Sequence, residues 1–425
     1  MNRPVNRRSI LQGSLAIGAG LYVNTRCSGQ TETPVSDKIN IAVIGLGGQG
    51  KSNLNGVSKE NIIALCDVDD VRAGDAYERF PNAKKFYDFR EMFDQMHDQI
   101  DAVVISTPDH THFHPARQAI ELGKHVYLEK PMAHNVWEVR ELTRLAAAKK
   151  VATQLGVQRH TLPSVHRAVE IIQSGVIGKV TEVHAWVGGS RGMPSLAKES
   201  KNIPSTLKWD LWLGPTFDRP YSADYVPYNW RFWWDFGTGE TGNWGCHILD
   251  IPFWALGLTY PSRVWAEGPP VDAQRTPKSM HTRLDFPSIE GRPEVALHWY
   301  HGEPPILKEL GIEKPKGNNV FIGDKGMLVA GFETTQLYPE KDFVDFKLGS
   351  PTIPKSPGFH REWLNACRGG QPATCDFKYS GPLTESVLLA NVAYRSGEFA
   401  WDAETLTADS DDAQTLIRSP YRKGW

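Results

Sequence analysis

Lys38-Ile39-Asn40-Ile41-Ala42-Val43-Ile44-Gly45-Leu46-Gly47-Gly48-Gln49-Gly50 is the stretch whose reading decides the fold. Lys38 to Ile44 is a short, β-branched apolar run and predicts a strand. It runs directly into a G-x-G-x-x-G turn, and a helix-compatible segment follows. That context, strand before and helix after, separates a dinucleotide-binding turn from an ordinary glycine cluster. Gly45 permits the tight turn, Gly47 lets the backbone approach a pyrophosphate, and Gly50 lets helix and strand pack closely. Leu46, Gly48 and Gln49 complete the loop, and free amides at the helix start bind phosphate.

Outward from this turn, strands and helices alternate. Asn61 to Cys66 reads as the second strand and Asp67 closes it, 22 positions after Gly45, near the spacing of a ribose-binding carboxylate. An acid there accepts hydrogen bonds from ribose hydroxyls and repels a 2′-phosphate, so NAD is expected and NADP disfavoured. Further strands are expected at Ala102 to Ser106, His125 to Leu128 and Val151 to Gly156. The alternation means a parallel, doubly wound α/β sheet. Gly45, Asp67, Thr107, Lys130 and Gln158 all fall at or just past strand ends, where ligands of such sheets bind.

Past residue 160 the pattern changes. A helix from Ser164 to Ser174 leads into an alternating strand, Lys179 to Val187, and later strands are expected at 262–267, 282–286, 294–300, 319–322 and 327–330. Gly323-Asp324-Lys325-Gly326 reads as a hairpin turn. This predicts a second α/β domain with an open, mostly antiparallel sheet, joined by late helices at 358–367 and 384–396. The expected organisation is a signal and linker over 1–37, a Rossmann domain over 38–158, a substrate and oligomerisation domain over 159–400, and a C-terminal tail over 401–425.

The chain has 425 residues, 47 basic against 49 acidic. With no basic excess, no nucleic-acid partner is expected. No apolar run reaches the length of a permanent membrane span. The five cysteines are widely spaced with no C-x-x-C pair, so neither a disulfide framework nor a metal site is expected. Asn6-Arg7-Arg8-Ser9-Ile10-Leu11, followed by a small-residue apolar stretch from Leu15 to Val23, reads as a Tat-type signal, which predicts a periplasmic or otherwise exported protein.

Four motifs in this order resemble the Gfo/Idh/MocA oxidoreductase family over about residues 38 to 400: the glycine turn, Thr107-Pro108-Asp109-His110-Thr111-His112, Glu129-Lys130-Pro131, and Gly242-Asn243-Trp244-Gly245-Cys246-His247. The export signal resembles the family's glucose-fructose oxidoreductase-like branch, and the long aromatic insertion an aromatic-rich bacterial subgroup. The resemblance implies a Rossmann domain followed by an open-sheet domain that forms homodimers or homotetramers. It implies that Lys130 lies near the nicotinamide and the reacting carbinol, that Glu129, Thr107, Pro108 and His112 lie beside the dinucleotide, and that His247 is the acid/base. Asn243 stands where the family's D-x-G-x-H motif has Asp. An amide hydrogen-bonds but does not ionise, so it cannot raise the basicity of its neighbours as a carboxylate does. Asp250, three positions past His247, is a candidate source of that charge.

The chemistry is consistent with those roles. Hydride leaves a carbinol only if the hydroxyl proton leaves too; a neutral His takes such a proton, and an ammonium stabilises the developing alkoxide. Lys130 and His247 fit the two roles in either order. The segment Trp209 to Trp244 holds twelve aromatic residues. Most of them read as a satellite core. Tyr228, Trp230 and Arg231, with His160, are candidate sugar contacts. Three functions stay open: a sugar oxidoreductase with tightly bound, internally recycled NAD; a redox-neutral glycosidase working by oxidation, elimination, hydration and reduction; and a non-catalytic nucleotide or sugar binder, for which Asn243 is the hint.

Overall fold

The computed structural model describes residues 38–425. The twin-arginine stretch and the linker expected after it lie outside the described residues.

The first half alternates as its sequence predicts. In chain order it runs β1 (Asn40–Ile44), α1 (Gln49–Val57), β2 (Asn61–Cys66), α2 (Asp70–Arg79), β3 (Lys84–Phe86), α3 (Phe89–Met96), β4 (Ala102–Ile105), α4 (Phe113–Glu121), β5 (His125–Leu128), α5 (Val136–Lys149) and β6 (Thr153–Leu155). The six strands form one parallel sheet in the order β3-β2-β1-β4-β5-β6. The central strands are apolar runs because helices cover both faces of the sheet. Ile41, Ala42, Val43 and all of β4 are 0% exposed or close to it. The strand order reverses between β1 and β4, so the crevice at their carboxyl ends opens beside Gly45 and Thr107.

The second half continues through α6 (Pro163–Gln173), β7 (Val180–Val187), α7 (Trp209–Leu213), α8 (Cys246–Ile248), α9 (Asp250–Leu256), β8 (Arg263–Glu267), β9 (His281–Phe286), β10 (Val295–His301), α10 (Ile306–Glu309), β11 (Asn319–Gly323), β12 (Gly326–Ala330), β13 (Thr335–Tyr338), α11 (Phe359–Cys367), α12 (Phe377–Ser396), β14 (Phe399–Asp402), β15 (Thr407–Ala408) and α13 (Asp411–Ile417). Nine strands form an open sheet in the order β13-β12-β11-β7-β10-β9-β8-β14-β15, antiparallel except where β7 meets β10. One face carries Val183, Ala185, Leu284, Leu297 and Trp299 into the main core. Of the other face, only part is covered, by a small cluster around Trp186, Tyr300 and Val320.

The stretch expected as a C-terminal tail from 401 is folded. Trp401, Ala408 and Ile417 are buried in the main core, and Trp425 packs on Phe89 with the Arg90 guanidinium over its ring. The helix expected from Thr384 begins seven residues earlier, at Phe377, and continues through Pro382.

Helix α12 lies between the two sheets. Its Glu385 is paired with Arg140 of α5, 2.7 Å between Oε1 and Nη2. The Phe377 amide donates to Thr153 Oγ1 of β6, and the Asn391 amide group donates to the Thr238 carbonyl beneath the cleft. The aromatic segment packs mainly on itself: Trp209, Trp212, Tyr221, Tyr225, Trp230, Trp233 and Phe236 form a separate buried cluster, as the bland reading of that stretch anticipates.

Candidate active site

A cleft of about 1230 Å³ opens at the carboxyl ends of the parallel strands and runs on under the aromatic segment. Gly45, Gly47, Gly48, Gln49, Asp67, Thr107, Pro108, Glu129, Lys130 and Gln158 line its first half. Tyr228, Trp230, Arg231, Asn243, Trp244 and His247 line the second. Leu46 and His112 are buried behind the wall. Gly50 sits inside α1, where a Cβ would collide with the Gly45 carbonyl oxygen.

The glycine turn is shaped to admit a phosphate backbone. Gly45 has φ +82, and a Cβ there would stand 2.7 Å from the Ser106 carbonyl oxygen. No side chain caps the first turn of α1, so its leading amides remain available to an anion. Asp67 holds this turn against the start of α2: its carboxylate accepts from the Leu46 amide at 2.7 Å and from the Asp69 amide at 3.0 Å. Burial pushes the Asp67 carboxyl above its ordinary value, against the pull of those two bonds. Arg72, which sequence reasoning missed, lays its guanidinium across Gly47 and Gly48.

His112 is a strut. Its two ring nitrogens lie 2.8 Å from the carbonyl oxygens of Pro131 and Thr107, fixing both motif loops. Glu129, 5% exposed, accepts from Asn53 at 3.0 Å and from Gln158 at 2.6 Å, and turns back to the Lys130 amide at 3.2 Å. Gly156 makes room for it, since a Cβ there would stand 2.5 Å from Glu129 Oε1.

Lys130 and Asn243 meet. Lys130 Nζ donates to the Asn243 carbonyl at 2.6 Å and to Asn243 Oδ1 at 3.2 Å. Asn243 Nδ2 in turn donates to Glu240 Oε2 at 3.0 Å. Glu240 is 1% exposed and is held in a fork by Arg191, at 2.6 and 2.9 Å. The charge absent from position 243 is therefore present one helical turn earlier, and the amide relays it to the ammonium. The signal was in the sequence: Glu240 precedes Asn243 by three residues, the spacing of one helical face. Asp250 does not supply this charge. It is buried behind the cleft with His160, whose Nδ1 is 2.9 Å from both carboxylate oxygens. Tyr379 Oη also donates to Asp250 Oδ1. Neither residue lines the cleft, because the His160 ring stacks on Trp254 at 4.0 Å, away from it.

The electrostatics separate the two catalytic candidates. Burial lowers the Lys130 ammonium below its ordinary 10.5, with Glu129 and Asp109 opposing. Burial, then the charges of Lys130 and Arg159, push His247 well below its ordinary 6.5. At neutral pH this places a neutral imidazole beside an ammonium. His247 Nδ1 is buried without a partner among the described residues. Arg159 and Arg231 complete the cationic rim. The former lies over Trp244 and Phe332, the latter over Tyr228 and Trp230.

Comparisons with known proteins agree with this geometry. Residues 39–157 match a family model described as an oxidoreductase family, NAD-binding Rossmann fold, and residues 164–276 match the family's C-terminal alpha/beta domain. An uncharacterised oxidoreductase of Synechocystis is 25% identical over 71% of this chain and 74% of its own length. The inositol 2-dehydrogenase of Rubrobacter xylanophilus is 28% identical over 40% of this chain, which spans half of that protein. The WlbA dehydrogenase of Bordetella pertussis, solved with NADH and UDP-GlcNAcA, superposes with a TM-score of 0.59 at 17% identity, covering 83% of this chain and 95% of that one.

Proposed function

The chain belongs to the Gfo/Idh/MocA oxidoreductases, with their NAD-binding Rossmann domain, and from that premise we propose that it oxidises a carbinol of a sugar or sugar derivative with NAD. The observation that carries this reading is the pairing of a neutral His247 with the Lys130 ammonium in one cleft, at the end of a glycine turn built for a dinucleotide. The residues fit that cofactor: a Cβ-intolerant turn, uncapped amides on α1, and the Asp67 carboxylate at the edge of the cleft. Bound there, the nicotinamide supplies a hydride acceptor. His247 takes the hydroxyl proton. Lys130, with two N–H bonds committed to Asn243, directs its third at the alkoxide oxygen. The Glu240–Asn243 relay keeps that ammonium oriented. Tyr228 and Trp230 offer flat faces to a pyranose ring, and inositol 2-dehydrogenase among the relatives points to the same substrate class.

NAD is the proposed cofactor because Asp67 would face a 2′-phosphate. Arg72 is the group that would have to swing across to accept one. Titration of the apoprotein with both dinucleotides is expected to give tighter NAD binding, and Asp67→Ser to narrow the difference. Tighter NADP binding to the unaltered protein overturns the assignment.

The two shifted groups fix the pH profile. Neutral His247 is required as base, so the acid limb of kcat/KM is expected well below 6.5. Charged Lys130 is required, so the alkaline limb is expected below 10.5, and Lys130→Arg is expected to move it upward. An acid limb at or above 6.5 would remove His247 from the role of base.

The twin-arginine stretch supports export through a route that carries folded proteins. Beyond the cytoplasm, free NAD to exchange with is scarce. We therefore propose a tightly held cofactor, reduced and reoxidised within one catalytic cycle. The overall reaction is then either exchange between two sugars or cleavage of a glycoside through a transient keto sugar. Protein purified without added nucleotide is expected to carry NAD(H) and to turn over sugars or glycosides with no net NADH. An empty protein that releases one NADH per product is an ordinary dehydrogenase. Assembly as a homodimer or homotetramer, through the open face of the second sheet, is part of the same proposal.

A further inference from the structure

The outer face of the nine-stranded sheet carries a histidine cluster that the cleft does not use. The register places His184 of β7 beside His298 of β10, Tyr300 of β10 opposite His281 of β9, and His281 opposite Glu267 of β8. Alternate residues of a strand share a face. Glu182, two before His184, therefore joins the group, while Val183, Leu297 and Trp299 point into the core.

The donors converge on one point. Glu182 Oε1 lies 2.9 Å from His184 Nε2 and 3.6 Å from His298 Nε2, and all three atoms fall within 4.8 Å of one another. The opposite edges of the rings are anchored. His184 Nδ1 is 3.0 Å from Tyr300 Oη, His298 Nδ1 is 2.9 Å from His281 Nε2, and His281 Nδ1 is 3.4 Å from Glu267 Oε1. The His184 and His298 rings stack at 4.6 Å, and those of His281 and Tyr300 at 4.1 Å.

A proton count shows what this arrangement lacks. The line His298–His281–Glu267 contains two hydrogen bonds, and two neutral imidazoles supply both protons, which leaves His298 Nε2 a bare lone pair turned toward Glu182 Oε1 at 3.6 Å, too far for a hydrogen bond. With both protons so placed, two lone pairs, those of His298 Nε2 and Glu182 Oε1, face each other with no proton between them. A cation between them would relieve that opposition. A metal ion does so. Placed between Glu182, His184 and His298, it leaves His298 Nδ1–H to donate to His281, His281 Nδ1–H to donate to Glu267, and His184 Nδ1–H to donate to Tyr300. Such outer bonds are what orient ligating histidines.

We propose that Glu182, His184 and His298 form a divalent-metal site of the zinc or cobalt class on the outer face of the second sheet. Two imidazoles and a carboxylate suit that class and not magnesium or calcium. Ligands of a tetrahedral zinc ion stand roughly 3.3 Å apart; Glu182 Oε1 lies 2.9 and 3.6 Å from the two imidazoles and the ligand atoms all fall within 4.8 Å, so side-chain rotations close the site. The side chain of Glu182 is 38% exposed, whereas those of His184 and His298 are 3% and 12% exposed. In the single chain the open side is therefore that of Glu182, where the fourth ligand is water or, on the assembled face, a group of a second copy. The spacing hid the site from sequence reading, since its ligands come from strands more than a hundred residues apart.

The test titrates cobalt chloride into untagged, chelator-stripped protein. One ion per chain is expected, with the visible absorption of a four-coordinate cobalt centre, displaced by zinc. His298→Gln and His184→Gln, each checked by circular dichroism, should weaken binding by about 100-fold or more, and His360→Gln, remote from the cluster, should not. No stoichiometric binding, or equal binding in both cluster variants, overturns the site. A loss of fold in one variant leaves the other, together with Glu182→Gln, to decide.

Discussion

Lys130→Met and His247→Ala are each expected to lower kcat by a factor of roughly 10² to 10⁴, the usual cost of a lost general acid or base, with the fold and NAD binding retained. Among the described residues Lys130 Nζ bonds only to Asn243 and His247 Nδ1 has no partner, so neither side chain is a keystone of the core. The two should differ in rescue. An added imidazole base can restore part of the turnover of His247→Ala, whereas Lys130→Met needs a fixed cation. Steady-state kinetics beside fluorescence titration of NADH separates turnover from binding. Near-normal turnover in either variant strips that residue of its role. Asn243→Asp is expected to remain active, because a carboxylate at 243 would still accept from Lys130. It would, however, stand against Glu240, so the Glu240→Gln, Asn243→Asp pair should be the healthier enzyme.

The second large effect is expected from Arg191→Ala. Arg191 is itself half-exposed, 46%, but the Glu240 it holds is 1% exposed. Removing the arginine side chain leaves a buried carboxylate with only the Asn243 amide and the residue-191 backbone N–H, at a cost of about 3 kcal/mol at neutral pH. The sign follows from the pKa. In the intact protein burial pushes Glu240 up, but the Arg191 and Asn243 bonds outweigh it and hold it below its ordinary 4.5. This contribution is present above the unfolded-state value and lost as pH falls through the folded one. Without Arg191 the carboxyl rises above its unfolded value, and the deficit is largest at high pH and shrinks on acidification. Urea unfolding at pH 8 and pH 5 should therefore show a larger loss at pH 8. An equal loss at both would mean that Arg191 acts through its packing on Tyr228 and Phe232. Activity should fall with it, since Asn243 then loses the anchor that aims it at Lys130.

The parts of this fold readable from sequence are those decided locally. β1, β4, β5 and the second half of β2 are buried on both faces and so appear as apolar runs, and the turn after β1 needs glycine at positions that only glycine can fill. The strands β7 to β12 alternate and were found to within a residue or two. β3 was missed because Lys84 and Lys85 mask three residues of edge strand. The start of α12 was missed because Pro382 reads as a break, although packing on every side holds the helix through it. At the site, the motif residues Lys130, Asn243 and His247 were legible as types in order. What was not legible was their wiring. The Arg191–Glu240 pair spans 49 residues, and although Glu240 stands one turn before Asn243, no local pattern says which cation holds it there.

Helix α12 has a consequence for how the molecule comes apart. It is buried along nearly its whole length. One flank meets β6 and α5, another meets the second sheet, and Asn391 ties it to the Thr238 carbonyl. Neither half can lose its own layer of helices without stripping this one bare, and a long apolar helix set in water gains nothing to offset that loss. The two sheets, distinct as architecture, are then a single thermodynamic unit. Amide exchange is therefore expected to report one common opening for the core strands of both sheets.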